Sequence, residues 1–112
     1  MTDCLFCKIA AGEIPATIVR QDEEFVAFRD IGPQAPTHVL VIPRRHLSSL
    51  NALDDEGLGG RLLLMTRRVA EDDGLADSGY RVVLNTNADG GQTVDHLHAH
   101  VLGGRAMRWP PG

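Results

Sequence analysis

The chain has 112 residues, the size of one ordinary domain, and 43% are hydrophobic, enough for a packed core and too many for a disordered chain. A formal charge of −4 gives no electrostatic pull towards nucleic acid or an anionic membrane, so no partner of either kind is expected. No apolar stretch approaches the ~20 residues of a membrane helix.

The N-terminal MTDCLFCKIAAGEIP carries acidic Asp3 where a secretory leader would be basic, which predicts a soluble cytoplasmic protein. DCLFCKIAAGEIP reads as a short helix that stops near Gly12, ahead of Pro15. TIVRQ and EFVAFRD read as two strands around an Asp22-Glu23 turn. In the second, Phe25, Ala27 and Arg29 share one face, and Val26, Phe28 and Asp30 the other. GPQAPT is a Pro-rich loop, and HVLVIP an almost wholly apolar strand, expected to be buried on both faces.

RRHLSSL begins a connection to the main helix. There Leu58, Leu62, Met65 and Val69 recur at spacings of four, three and four. Asp54, Asp55 and Glu56 suit the positive end of its dipole, and Gly74 is a natural stop. YRVVLN reads as a strand, NADGGQ as a turn-rich loop, HLHAHVL as a strand and RAMRWPPG as an extended tail. No linker, repeat or low-complexity segment interrupts the order. Helix, three strands, helix, two strands predicts a single α+β domain over 1–112. Its five-stranded sheet is mostly antiparallel, with one long and one short helix.

Three of the five histidines, His96, His98 and His100, alternate with Leu97, Ala99 and Val101. On a strand they would project from one face, neighbours ~7 Å apart and the outer pair ~13 Å apart. Three rings so spread cannot easily share one metal, since zinc–nitrogen bonds are ~2 Å. They suit contact with an extended ligand. Imidazole offers a neutral nucleophile or acid–base group near pH 7 and can bond phosphate oxygens. The preceding DGGQT adds glycines that let backbone N–H groups approach a phosphate. The pattern points to phosphoryl or nucleotidyl chemistry.

His96-Leu97-His98-Ala99-His100-Val101-Leu102 resembles the signature of the histidine-triad (HIT) nucleotide-binding family. EIPATIV, FRDIGPQAPTHVLVIPRRH, GYRVV, DGGQTV and HVLGG…WPPG resemble its Hint branch, the purine nucleoside phosphoramidases. The resemblance implies hydrolysis at the α-phosphorus of a purine nucleotide derivative, such as a nucleoside phosphoramidate, without an organic cofactor. His98 would be the nucleophile and form a nucleotidyl-histidine, with its other ring nitrogen donating to a main-chain carbonyl near His96. His100 would bind the α-phosphate, and His38 would order the cluster. Thr93, where the branch usually has serine, would with Asn85 and the Gly91 backbone lie on the phosphate side. Asp30 would bind ribose, and Leu5, Phe6, Ile9, Phe28 and Ile31 would line the base pocket. Homodimers of the branch join their sheets edge to edge into ten strands, with the tail, here bearing Trp109, near the partner's site.

Cys4 and Cys7 share a helix face. Their C-x-x-C spacing lacks the βαβ setting of a redox motif, and a structural zinc would need two more ligands. Two buried thiols without metal are the plainer alternative. The resemblance to bacterial HIT proteins implies such a zinc on Cys4, Cys7, His46 and His96, closed and structural. If His96 binds metal, it is less available as an acid. Two other functions remain open on these residues: a nucleotide-binding regulatory module with incidental turnover, and a hydrolase using the histidines as catalytic metal ligands.

Overall fold

Strands and principal helices follow the expected order in the computed structural model, which describes residues 3–112. Met1 and Thr2, the first two positions of the expected 1–112 domain, lie outside the described residues. The elements are α1 (Leu5–Ala10), β1 (Ile18–Gln21), β2 (Phe25–Arg29), β3 (Thr37–Pro43), α2 (Glu56–Asp72), β4 (Tyr80–Val83), α3 (Asn87–Gly90) and β5 (Ala99–Gly103). All neighbouring strands pair antiparallel, in the order β1-β2-β3-β5-β4.

β3 is the middle strand, and all seven of its residues are buried, as its unbroken apolar run requires. Alternation divides the core in two. Phe25, Ala27, Val39, Val41, Ala99 and Val101 face α2, which contributes Leu58, Leu62, Met65 and Val69. Truncating one such leucine to alanine costs about 2–5 kcal/mol, because the cavity cannot fully close. Val26, Phe28, Leu40 and Ile42 face the other way, against Phe6 and Ile9 of α1.

Helix α2 starts where its acids predict. The Asp55 carboxylate caps it by accepting the Leu58 N–H at 3.2 Å. Past its end, Asp73 accepts two bonds from Arg29, at 2.6 and 2.9 Å, and one from the Thr37 hydroxyl at 2.9 Å. The Arg29 bond holds the Asp73 carboxyl below the usual carboxylate range. This clamp ties the helix to β2 and β3 beside Asp30.

Three local expectations change. NADGGQ contains the one-turn helix α3, and a 3-10 turn occupies Leu50–Ala52. The strand expected over HLHAHVL begins only at Ala99. Before it, the His96 N–H bonds Val94 O at 2.9 Å and the Leu97 N–H bonds Leu47 O at 2.7 Å. Those bonds turn the chain out of the ladder and lay it beside the connection that carries His46.

Candidate active site and metal-ligand cluster

The three histidines therefore do not form one row. Only His100 sits on β5, opposite Leu40 of β3 in register. His98 precedes the strand, and its ring centroid lies 4.9 Å from that of His100. His96 turns away, and its ring lies 4.9 Å from His46 instead. The spread of an extended strand does not apply, so His96 can join a metal cluster while His98 and His100 face a cleft.

That cleft, about 280 Å³, opens between α1 and the sheet face turned away from α2. Phe6, Ile9, Phe28 and Leu40 make its apolar floor, Leu5 and Ile31 its exposed rim, and Asp30, Thr93, His98 and His100 its polar side. Asn85 and Gly91 are not among the lining residues. The Gly91 N–H is already bonded to Ala88 O at 3.0 Å. Phe6 also separates the histidine groups: its ring meets Phe28 at 5.4 Å, His98 at 5.1 Å and His96 at 6.0 Å, all edge to face.

Hydrogen bonds assign the protons on each ring. His98 Nδ1 donates to the His96 carbonyl at 2.6 Å, which leaves Nε2 as a bare lone pair on a buried ring lining the cleft. His38 Nδ1 accepts the Gln34 backbone N–H at 3.0 Å, so the neutral ring carries its proton on Nε2. His38 Nε2 then donates to His100 Nδ1 at 2.9 Å, with the Asp30 carboxylate 3.5 Å away. His100 must carry its own proton on Nε2, and that buried atom has no hydrogen-bond partner among the described residues. The result is one bare nitrogen, on His98, beside one unused N–H donor, on His100.

Burial favours the neutral forms of His100 and His38. It pushes the His100 pKa down to about 4, with His98 and His38 adding to the fall and Asp30 opposing it. Burial likewise lowers His38, again against Asp30. Asp30 itself accepts the Gly32 N–H on Oδ1 at 2.7 Å, which leaves Oδ2 as its freer oxygen.

On the other side of Phe6, Cys4 Sγ, Cys7 Sγ, His46 Nδ1 and His96 Nδ1 lie within 4.8 Å of one another. The separations are 3.3 Å from Cys4 to His96, 3.3 Å from Cys7 to His46, 3.5 Å from Cys7 to His96 and 3.1 Å between the two imidazoles. Tetrahedral zinc bonds of ~2.0 Å to nitrogen and ~2.3 Å to sulfur place ligand atoms roughly 3.3–3.8 Å apart. His96 Nε2 donates to Pro43 O at 2.8 Å, which aims the bare Nδ1 into the cluster. The four side chains can hold a metal ion, and their donor set suits one.

Asp30, His38 and His100 also lie within 4.8 Å of one another, yet they suit a metal poorly. The Gln34 N–H occupies the His38 Nδ1 lone pair. A metal at Nε2 would need that nitrogen bare as well, hence an imidazolate. His38 and His100 form a hydrogen-bond relay with Asp30 beside it, which speaks against the hydrolase with catalytic metal ligands.

Sequence reasoning missed Gln34, Pro43 and Gln92. Gln34 and Pro43 act through backbone atoms, which no residue pattern reports. Gln92 acts by side chain: it accepts the Asn87 N–H at 2.9 Å and donates to Ser48 O at 2.8 Å and Val94 O at 3.0 Å. It fastens the Asn87–Thr93 loop to the His46 connection. Its place inside DGGQT was the only signal.

The HIT domain matches residues 11–107. The chain is 46% identical over 107 residues to the purine nucleoside phosphoramidase of Escherichia coli K12, covering 94% of this chain and 90% of that protein. It is 51% identical to an uncharacterised HIT-like protein of Synechocystis, over 98% and 97% of the two chains. The crystal structure of a HIT family hydrolase from Legionella pneumophila superposes with a TM-score of 0.96 at 53% identity, over 98% of this chain and 100% of that one. A histidine triad nucleotide-binding protein of Candida albicans gives 0.85 at 30% identity, over 96% and 83%. The chain belongs to the histidine-triad (HIT) family.

Proposed function

We propose that this single-domain protein is a purine nucleoside phosphoramidase-like hydrolase that works through a nucleotidyl-histidine. The observation that carries the reading is the 2.6 Å bond from His98 Nδ1 to the His96 carbonyl, which bares Nε2 towards the cleft. That nitrogen attacks the α-phosphorus, the phosphorus–nitrogen bond breaks, and the amine leaves. Water then cleaves the nucleotidyl-histidine and releases the nucleoside monophosphate, so one hard displacement becomes two easier ones. The His100 Nε2–H donates to a phosphate oxygen and favours the charge that builds there. His38 holds His100 in that tautomer. The Asp30 Oδ2 binds ribose, the Thr93 hydroxyl lies on the phosphate side, and Leu5, Phe6, Ile9, Phe28 and Ile31 enclose the base. His96 is withdrawn from acid catalysis, since its Nε2–H is bonded to Pro43 and its Nδ1 faces the cysteines. Solvent at the cleft mouth supplies the proton to the leaving amine.

Cys4, Cys7, His46 and His96 hold zinc in this reading. The ion cross-links α1 to the segment that positions His98. The open edge of β4, and Leu63 and Leu64 exposed on α2, are the surfaces for a homodimer. Among the described residues no helix is long and apolar enough to cross a membrane. A reducing cytoplasm would preserve the thiols.

The test is steady-state hydrolysis of adenosine phosphoramidate. His98→Ala is expected to lower kcat by at least roughly 10³-fold while AMP binding remains. Equal rates in both, or no turnover by a wild type that binds AMP tightly, would replace the enzyme reading with a nucleotide-binding module.

A further inference from the structure

The His38–His100 relay depends on one backbone N–H in an exposed loop. Gln34 is solvent-exposed, like Ile31, Gly32 and Pro33 before it. Its side-chain amide donates to Gly32 O at 3.0 Å, and its N–H donates to His38. Both partners lie within the same 30–38 stretch, so neither fixes the loop from outside. Its carbonyl is gripped by Arg105, whose Nε and Nη2 donate to it at 3.2 and 3.0 Å. The same guanidinium is steadied by Nη1 donating to Ala106 O at 3.2 Å. Arg105 can reach this loop because Gly104, at φ +87°, lets the chain after β5 lie against Pro36. A Cβ at Gly104 would fall 2.8 Å from the Pro36 Cβ.

We infer that Arg105 is a positioning residue: by clamping Gln34 it holds the His38 ring in its Nε2–H tautomer, and so makes His100 present an N–H to the cleft. Without the clamp the Gln34 N–H swings away from His38 Nδ1. His38 then exchanges between tautomers, and in its Nδ1–H form the bare His38 Nε2 meets a bare His100 Nδ1. His100 is forced to exchange with it and offers phosphate a lone pair for part of the time.

The consequence for rate rests on the phosphoramidase reading, whereas the consequence for tautomers does not. Nitrogen-15 NMR of the histidine rings reads the tautomers directly, in the full chain without substrate. Wild type is expected to show His38 and His100 protonated on Nε2 alone. Arg105→Ala should show a second tautomer at both rings and about tenfold lower kcat/KM on adenosine phosphoramidate, the size of one hydrogen bond. Arg105→Lys, with one donor left for the Gln34 carbonyl, should recover part of each. Unchanged tautomers in Arg105→Ala, even with a lower Tm, would overturn the inference and leave Arg105 a structural tether. So would a wild-type His38 protonated on Nδ1. If the wild type lacks turnover but the tautomers shift, the proposed enzyme function fails and this inference stands.

Discussion

His96 and His38 are both buried, His38 on β3 near its start and His96 against the strand's end beside Pro43. One backbone group apiece gives them opposite work. The Pro43 carbonyl takes the Nε2 proton of His96 and leaves Nδ1 as a ligand. The Gln34 N–H fills Nδ1 of His38 and leaves Nε2 as a donor. Identical side chains thus become part of a cluster with His46 that could hold a metal in one place and a proton-ordered relay with His100 in the other. What separates a ligand from a relay is the partner behind the ring, more than the histidine itself.

The comparison predicts that the two groups fail differently. Removing the two cysteines, as in Cys4→Ala with Cys7→Ala, should abolish the zinc binding proposed for the cluster and lower Tm by roughly 10 °C or more, given about 4–8 °C per kcal/mol for a domain near this size. Metal analysis beside calorimetry checks it. A double variant that keeps the wild-type Tm would mean that the ion does not fasten α1 to the segment before β5. His38→Ala should do the reverse. It orphans His100 Nδ1, which costs about 1–3 kcal/mol and hence roughly 10- to 100-fold in kcat. Zinc content should not change. Loss of metal in His38→Ala would join two groups that Phe6 holds apart.

Much of the frame was legible from period alone. The α2 face of Leu58, Leu62, Met65 and Val69, and the opposed faces of β2, follow from spacings of 3.6 and 2. The role split inside the triad was less so. Strict alternation reads as one strand face, yet bonds from His96 N and Leu97 N to carbonyls of Val94 and Leu47 break the ladder. Leu47 lies fifty residues away, so no local pattern announces it. Tautomers were illegible for a related reason: Gln34 and Pro43 act through main-chain atoms that every sequence carries. The cysteine pair and His46 were visible as residues, but their convergence with His96 came only through resemblance.

Acid should expose the relay's dependence on neutral rings. His100 has its folded pKa lowered to about 4 from the ordinary 6.5, so the unfolded chain binds its proton first. The stability from its burial is complete above about pH 6.5 and drains as pH falls towards 4. At most it amounts to on the order of 2–3 kcal/mol. Unfolding free energies of wild type and His100→Gln, measured across that window, should converge as the pH falls. Groups that titrate alike in both proteins cancel in the difference. Parallel curves would show that His100 is protonated in the fold.

Thr93 should give the smallest change, and it separates shape from chemistry on the cleft's polar side. It is exposed, lines the cleft beside His98 and His100, and makes no side-chain hydrogen bond among the described residues. Thr93→Ser keeps the hydroxyl and drops a methyl from an exposed side chain, so kcat/KM should stay within about threefold, as surface changes near ±0.5 kcal/mol allow. Thr93→Val keeps the shape and drops the hydroxyl. It should lose about five- to tenfold, the worth of one neutral hydrogen bond to phosphate or leaving group. The two variants measured on adenosine phosphoramidate decide between them. If serine is the damaging substitution and valine is silent, Thr93 acts by filling space at the cleft edge, and the phosphate is held by His100 without its help.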